Sequence, residues 1–172
     1  MTPSRSTRIS GIAADRYRAA LRRLGHYRWF ARFGRAMVPI DRAVQRRSRG
    51  RLSILGADVL PELLLTTTGR STGRRRTVAL LYAVAAEPDD YVVVASNWGQ
   101  PHHPAWSANL LAQPRATVEL RGREQVVQAR LAEGTERDQV WPRVLEIWPA
   151  YATYSARSGR TLRVFLLRVI RP

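Results

Sequence analysis

The sequence predicts an α+β protein in which a basic N-terminal helix precedes six antiparallel strands that close into a small barrel. Two observations favour this fold class: six short runs of β-branched and aliphatic residues follow residue 60, and turn residues separate several of them. Such connections favour antiparallel hairpins over helix-crossed parallel strands, and six strands suffice for a small barrel. The predicted strands are residues 63–68, 77–85, 91–96, 116–120, 124–131 and 162–170.

The N-terminal helix is predicted from about residue 13 to residue 38, where apolar residues recur at three- and four-residue steps. They are Tyr17, Ala20, Leu21, Leu24, Tyr27, Phe30, Phe33 and Met37. Arginines lie between them, so the helix is expected to be amphipathic and cationic, with Trp29 near the boundary of its faces. The arginine-rich residues 46–51 are interpreted as a linker. We therefore expect a helical extension and linker at residues 1–51 and a barrel domain at residues 52–172.

Two further helices are predicted to flank the barrel. Residues 104–112 form a short helical segment that starts at a proline. Thr135 and Asp138 are candidate caps for a second helix that runs towards Trp148. Pro142 is expected to kink or divide that helix, because proline lacks the backbone N–H that the helix uses.

The composition limits the chemistry that the chain supports. Its 172 residues suit one domain with an extension. The absence of cysteine excludes disulfides, thiolate nucleophiles and cysteine-ligated zinc, and favours an intracellular location. Residues 1–51 contribute +12 of the net charge of +16, and all 29 basic residues are arginine, as expected for a GC-rich bacterial genome. No run of residues is long and apolar enough to predict a membrane-spanning helix.

A loop rich in glycine and arginine, residues 69–76, follows the first predicted strand. Its glycines would let backbone amides converge on an anion, and its hydroxyl and guanidinium groups would supply charge-assisted hydrogen bonds. The loop lacks the ending of a Walker motif and the three-glycine dinucleotide fingerprint. A phosphate or carboxylate site is one interpretation, and an ordinary hairpin turn with solvated arginines is the other.

A second segment joins the third predicted strand to the short helix. It contains Ala95, Ser96, Asn97, Trp98 and Gly99, then His102, His103, Pro104, Ala105 and Trp106, and ends at Asn109. A strand end, a glycine turn and a helix start would place backbone amides beside the first loop, where a cofactor head group could lie. The adjacent histidines lack a third ligand, so a surface or cofactor-edge role is favoured and no metal site is predicted.

A third segment, residues 148–154, sets aromatic side chains three residues apart on one side of a short helix. Trp148, Tyr151 and Tyr154 could stack on a planar substrate, and a phenol could donate a hydrogen bond or a proton. A stripe that faces the core is the alternative interpretation. Neither a Ser-His-Asp arrangement nor a carboxylate pair is indicated, which suits a redox enzyme whose cofactor carries the chemistry.

In this order and spacing, the three segments resemble the deazaflavin-dependent nitroreductase family of small split β-barrel proteins, which bind coenzyme F420 and occur chiefly in actinobacteria. The matching pieces are residues 64–70, Gly73 with Arg76, residues 93–96, Pro104 with Trp106 and Asn109, residues 136–137 with 141–142, and Pro149 with Tyr151 and Tyr154. The resemblance runs from about residue 63 to the C-terminus. It implies a six-stranded antiparallel split β-barrel with flanking helices.

The resemblance also implies the roles of individual residues. The implied cofactor-binding residues are Arg70, Ser71, Thr72, Gly73, Arg76, Thr77, Ala95, Ser96, Asn97, Trp98, Gly99, Pro104, Trp106 and Asn109. The phosphate and oligoglutamate tail of the cofactor would meet the 69–76 loop, and its ring would lie near residues 95–99. Ser96, Tyr151 and Tyr154 are the candidate catalytic residues, and Trp148 joins the two tyrosines at the substrate. The implied reaction passes hydride from reduced F420 to a quinone, a nitroaromatic compound or an activated enone.

Four residues depart from the family pattern in ways that bear on the acceptor. Ala79 replaces a frequent proline, Trp98 a glycine, Ser107 an aromatic residue and Trp148 a tyrosine. A bulky indole at position 98 or 148 would reshape the acceptor pocket, and Trp148 supplies no phenolic proton.

Two other functions stay open from the sequence. The barrel could prefer FMN or only sequester a ligand. Nucleic-acid binding through the extension is less favoured, because the barrel half is modestly basic and lacks an aromatic RNA-binding motif.

A lipid-soluble quinone would be reached most easily from an anionic membrane, on which the basic helix could rest. We therefore expect a cytoplasmic protein, peripheral on the inner face of the membrane, and the sequence leaves its oligomeric state open.

Overall fold

The barrel is closed and has six strands in a computed structural model that describes residues 11–37, 60–85 and 90–170. The strands are β1 (Glu62–Thr68), β2 (Arg75–Val84), β3 (Tyr91–Val94), β4 (Arg115–Leu120), β5 (Arg123–Leu131) and β6 (Val164–Val169). Their order around the barrel is β1-β2-β3-β6-β5-β4, and antiparallel pairing of β4 with β1 closes it. All six predicted strands are confirmed, with ends that lie within two residues of the predicted ones.

Five helices accompany the barrel in the described part of the chain. They are α1 (Gly11–Leu24), α2 (residues 28–37), α3 (Ala105–Ala112), α4 (Gly134–Ile147) and α5 (Ala150–Ser158). A 3-10 turn at Asn97–Gly99 lies between β3 and α3. The helix predicted to start at Pro104 is confirmed as α3, with Pro104 at its N-cap. The predicted α+β barrel architecture is therefore confirmed.

Apolar side chains form two adjoining cores. The interior of the barrel is filled by fully buried residues, among them Leu65, Val118, Val127 and Leu167. Strand β3 is buried on both faces, because successive side chains of a strand point in opposite directions. Val93 belongs to the barrel core, whereas Val92 and Val94 belong to the outer core with the helices. The end of β3 therefore lies where the barrel meets its helical cover.

The predicted single N-terminal helix is wrong, because residues 25–27 separate α1 from α2. Gly25 lies against the indole of Trp148, and a Cβ atom at this glycine would stand 2.4 Å from Cζ2 of that ring. Leu21 and Phe30 are buried in the outer core, so α1 and α2 pack onto the barrel domain. The predicted linker at residues 46–51 and the boundary between residues 51 and 52 lie outside the described residues.

Helix α4 also differs from its prediction. Its N-cap is Glu133, which makes no capping hydrogen bond through its side chain, so Thr135 and Asp138 do not begin the helix. Pro142 lies inside a helix that continues to Ile147, so the predicted division is wrong. The lost backbone hydrogen bond is tolerated because Val140 and Val144, on either side of the proline, are buried in the outer core.

Candidate functional site

A cavity of about 970 Å³ lies between β2, the segment that links β3 to α3, helix α5 and the N-terminal helices. Twelve of the residues singled out from the sequence line it: Arg70, Arg76, Thr77, Ser96, Asn97, Trp98, Pro104, Trp106, Asn109, Trp148, Tyr151 and Tyr154. The fold thus brings together three segments that lie far apart in the sequence.

Five other residues from the same prediction do not line this cavity. Ser71, Thr72 and Gly73 are exposed at the tip of the turn between β1 and β2. Ala95 is fully buried, and Gly99 packs against the guanidinium group of Arg157. These residues therefore shape the loops around the cavity and do not form its wall.

The 69–76 loop is a closed turn that is pinned to α3. The Gly69 amide donates to the Arg74 carbonyl at 2.8 Å, and the Gly73 amide donates to the Gly69 carbonyl at 2.7 Å. Asn109 accepts from the amide of Arg70 at 3.1 Å and donates to Oγ1 of Thr67 at 3.1 Å. The predicted convergence of backbone amides on an anion is therefore wrong for these glycines and for Arg70, whose amides are already bonded. The loop instead presents guanidinium groups.

The 3-10 turn after β3 has an unusual backbone. Asn97 and Trp98 have φ angles of 49° and 57°, values that residues with a side chain adopt at a cost of about 1–2 kcal/mol each. Two hydrogen bonds hold the turn: Nδ2 of Asn97 donates to the His102 carbonyl at 3.0 Å, and Nη2 of Arg157 donates to the Trp98 carbonyl at 2.9 Å. The indole of Trp98 lies on Gly34 of α2, where a Cβ atom would stand 2.5 Å from Cη2.

Trp148, Tyr151 and Tyr154 form an aromatic wall at one end of the cavity. All three are buried, and the Tyr151 and Tyr154 rings are 6.4 Å apart. The interpretation of this stripe as facing the core is confirmed, since the three side chains belong to the outer core, and the same side chains also line the cavity. Burial, with a smaller contribution from Tyr154, raises the pKa of Tyr151 far above its ordinary value, so its phenol stays protonated.

Two buried polar atoms at this end have no hydrogen-bond partner within the described ranges. They are the hydroxyl of Tyr154 and Nη1 of Arg157, whose guanidinium group lies 5.1 Å from the centre of the Tyr154 ring. Burial raises the pKa of Tyr154, while the nearby Trp148 indole and, to a smaller extent, the positive charge of Arg157 oppose that shift. Unpaired buried donors are costly, so this pair is suited to meeting a polar group of a ligand.

The sequence missed the contribution of the N-terminal helices. Leu21, Phe30 and Arg35 line the cavity, and the ring of Phe30 stacks on Trp148 with 6.4 Å between centres. Residues 78–81 of β2 also line it. One residue could have indicated this contact from the sequence. Gly34 lies inside a helical pattern, and such a glycine often marks the close approach of another group.

The histidines occupy different positions. His103 is half-buried in the cavity wall, and His102 is exposed at its edge. The described residues include no group of three or more His, Cys, Asp or Glu that could hold a metal ion.

The chain is similar to one family of known proteins. The model of the F420H(2)-dependent quinone reductase family matches residues 38–168. An F420H(2)-dependent quinone reductase of Mycobacterium tuberculosis (strain ATCC 25618 / H37Rv) is 32% identical over 144 residues, which cover 81% of this chain and 95% of that protein.

Two solved structures are similar in fold and sequence. The F420-H2 dependent reductase FDR-A has a TM-score of 0.57 and 36% identity, covering 63% of this chain and 94% of its own. A structure described as a domain-swapped dimer has a TM-score of 0.59 and 34% identity, covering 74% of this chain and 96% of its own.

Proposed function

The chain belongs to the F420H(2)-dependent quinone reductase family, and we propose that its cavity holds reduced coenzyme F420 beside a quinone acceptor. The protein is an oxidoreductase that uses reduced F420. When bound, this coenzyme supplies a hydride. The observation that carries the proposal is the division of one cavity into an end with arginines and an aromatic end with protonated phenols.

The arginine end suits an anionic tail of phosphate and glutamate groups. Arg70, Arg75 and Arg76 line the cavity and are exposed, so they can approach an anion without a large desolvation penalty. Arg35 of α2 also lines the cavity. Guanidinium groups bind phosphate and carboxylate groups in bidentate geometry. We assign the tail to this end.

The aromatic end suits a flat, electron-poor acceptor. Trp148, Tyr151 and Tyr154 offer ring faces and edges for stacking, and Ser96 adds a hydroxyl to the wall. A quinone that accepts a hydride becomes a hydroquinone only after it also takes up a proton. The phenol of Tyr154 is our candidate for the proton donor, and Tyr151 is a wall residue that can donate a hydrogen bond.

Quinones are the acceptors we favour, and the direct test uses the soluble quinone menadione. Mixing the protein with reduced F420 and menadione is expected to reoxidise the coenzyme, which is followed by its absorbance. Nitroaromatic compounds and activated enones, tested in parallel, should be reduced less efficiently. Absence of both F420 binding and reoxidation would overturn the proposal, and tighter binding of FMN would favour the FMN alternative.

The arginine end provides a control within the same experiment. Arg76→Ala is expected to weaken F420 binding about tenfold, as judged by fluorescence quenching, because one charge-assisted contact to the tail is lost. Arg74→Ala removes the same charge from the same loop at an exposed residue that does not line the cavity. The two variants should therefore differ, and equal loss in both would show that only general charge matters.

We further propose that α1 and α2 rest on an anionic membrane. Tyr17, Trp29 and Phe33 on these helices and Tyr27 in the turn between them are each 47–57% exposed, among exposed arginines. Within the described ranges, no helix is long and apolar enough to cross a bilayer. Aromatic rings inserted at the headgroup level, with arginines attracted by anionic lipids at about 1 kcal/mol each, suit a peripheral contact on the cytoplasmic face.

Vesicle flotation tests the membrane contact. The protein is expected to float with vesicles that contain anionic phosphatidylglycerol and not with neutral phosphatidylcholine vesicles, and high salt should weaken the binding. Replacing both Trp29 and Phe33 with serine should abolish flotation, whereas Leu111→Ser, a change at an equally exposed residue of α3, should not. Equal flotation of both variants would refute this surface as the contact.

A further inference from the structure

Arg160 lies between α5 and β6, and its guanidinium group binds several acceptors in the segment that links β3 to α3. It follows Gly159, the left-handed residue that ends α5. Its guanidinium group donates to three backbone carbonyls, those of Gln100 at 3.0 Å, Ala95 at 3.2 Å and Ser96 at 2.8 Å. Its Nη1 atom also lies 3.0 Å from Nδ1 of His103. The three carbonyls fix the guanidinium group, so the position of its contact with His103 is fixed as well.

This contact determines which nitrogen of His103 carries the proton. A guanidinium group has five N–H donors, no acceptor, and does not lose its proton in proteins. Nδ1 of His103 must therefore accept a hydrogen bond through its lone pair. In a neutral imidazole the proton then resides on Nε2, which becomes the donor.

The surroundings of His103 also keep its ring neutral. Burial lowers the pKa of His103 from its ordinary value, and the positive charges of Arg160 and Arg163 lower it further. Arg163 reaches α3, where its Nη1 atom is 3.4 Å from Oγ of Ser107. With two cations nearby, the ring remains an uncharged donor.

His103 lines the cavity next to Pro104 and Trp106, and no described residue accepts a hydrogen bond from its Nε2 atom. We propose that Nε2–H of His103 donates a hydrogen bond to a carbonyl oxygen of a ring bound in the cavity, and that Arg160 is the positioning residue that fixes this tautomer. The inference rests on the proposed function, because both the coenzyme ring and a quinone carry such oxygens. A neutral donor fixed in this way can stabilise negative charge on the oxygen without reorganising.

The tautomer can be measured without any ligand. In ¹⁵N-labelled protein, long-range ¹H–¹⁵N spectra distinguish protonated from unprotonated ring nitrogens, and His103→Gln identifies the signals of His103 among the three histidines of the chain. We expect protonated Nε2 and unprotonated Nδ1 for His103 at neutral pH. Arg160→Met should produce a mixture of tautomers. A protonated Nδ1 in the unaltered protein would overturn the inference, whether or not F420 binds.

Ligand measurements then identify the oxygen that His103 contacts. His103→Leu, which has no donor, is expected to weaken F420 binding or to raise the KM for menadione five- to tenfold, about the contribution of one hydrogen bond. A loss in F420 affinity assigns the contact to the coenzyme ring, and a rise only in the KM for menadione assigns it to the acceptor. His26→Gln, at an exposed histidine that does not line the cavity, should change neither quantity. Unchanged F420 affinity and unchanged KM in His103→Leu would refute the proposed contact, and failure of the unaltered protein to bind F420 would refute only the proposed function.

Discussion

Tyr154→Phe is expected to lower kcat for quinone reduction by about a hundredfold, at the lower end of the effect of losing a general acid. Hydride addition leaves negative charge on a quinone oxygen, which then takes up a proton. Tyr154 lines the cavity, and its buried hydroxyl has no hydrogen-bond acceptor among the described residues, so we propose that it donates to that oxygen. Burial raises the pKa of this phenol, while the nearby Trp148 indole and the positive charge of Arg157 oppose the shift, which makes Tyr154 a better proton donor than Tyr151.

The measurement is a single turnover in which the protein, already bound to reduced F420, is mixed with menadione. Tyr151→Phe should lower kcat less than tenfold, because burial and Tyr154 both raise the pKa of Tyr151 and no positive charge among the described residues offsets that shift. Tyr82→Phe, on β2 and outside the cavity wall, should leave kcat unchanged. Equal rates for Tyr154→Phe and the unaltered protein would contradict the assignment, provided that F420 affinity is also equal.

The pH profile offers a second readout of the same residue. Because the folded-state pKa of Tyr154 is above its ordinary value near 10, the phenol stays protonated at neutral and mildly alkaline pH. The rate should therefore not fall through ionisation of Tyr154 between about pH 6 and pH 9. Above pH 10 the phenols of an unfolded chain lose protons that the folded chain retains, so the free energy of unfolding should decrease as pH rises.

Local patterns were sufficient for the strands. The predicted runs are rich in β-branched and aliphatic residues, which favour strands, and the turns between several of them favour antiparallel pairing. Pairing of β1 with β4 joins residues such as Leu65 and Val118, which are more than fifty positions apart. That closure was predicted from the number of strands, since no local signal specifies it.

Long-range contacts explain what the sequence could not predict. The periodicity of residues 13–38 is helical throughout, yet Gly25 and Gly34 lie against Trp148 and Trp98, which belong to distant segments. The partners of Arg160 are mainly backbone carbonyls. Every residue has such a carbonyl, so no residue pattern indicates where they will converge.

Packing also overrode two local rules. Pro142 usually ends a helix, but burial of its neighbours Val140 and Val144 keeps α4 continuous. The glycines of the 69–76 loop suggested free amides, but Gly69 and Gly73 use theirs to close the turn. In both cases the sequence drew attention to the residue but did not show which groups it packs against or bonds to.

Asn109 is the residue on which the position of the arginine loop most depends. It is 5% exposed, accepts from the amide of Arg70 and donates to Thr67, which is 1% exposed. Asn109→Ala is expected to lower the free energy of unfolding by about 1–3 kcal/mol, because it leaves the buried hydroxyl of Thr67 without this donor and the amide of Arg70 without this acceptor. Urea denaturation at neutral pH measures this loss.

Asn109→Ala should also weaken the binding of F420, although we assign the tail of the coenzyme to the arginines and not to Asn109. Without Asn109 the turn between β1 and β2 is no longer held to α3, so Arg70 and Arg76 must be ordered when the tail binds, at a cost of about tenfold in F420 affinity. Ser107→Ala removes a hydrogen bond of 2.8 Å to the Pro104 carbonyl in the same helix. This control should lose stability but retain its F420 affinity, because Ser107 makes no contact with the loop. If both variants lose affinity equally, the effect belongs to the stability of α3 and not to the position of the arginines.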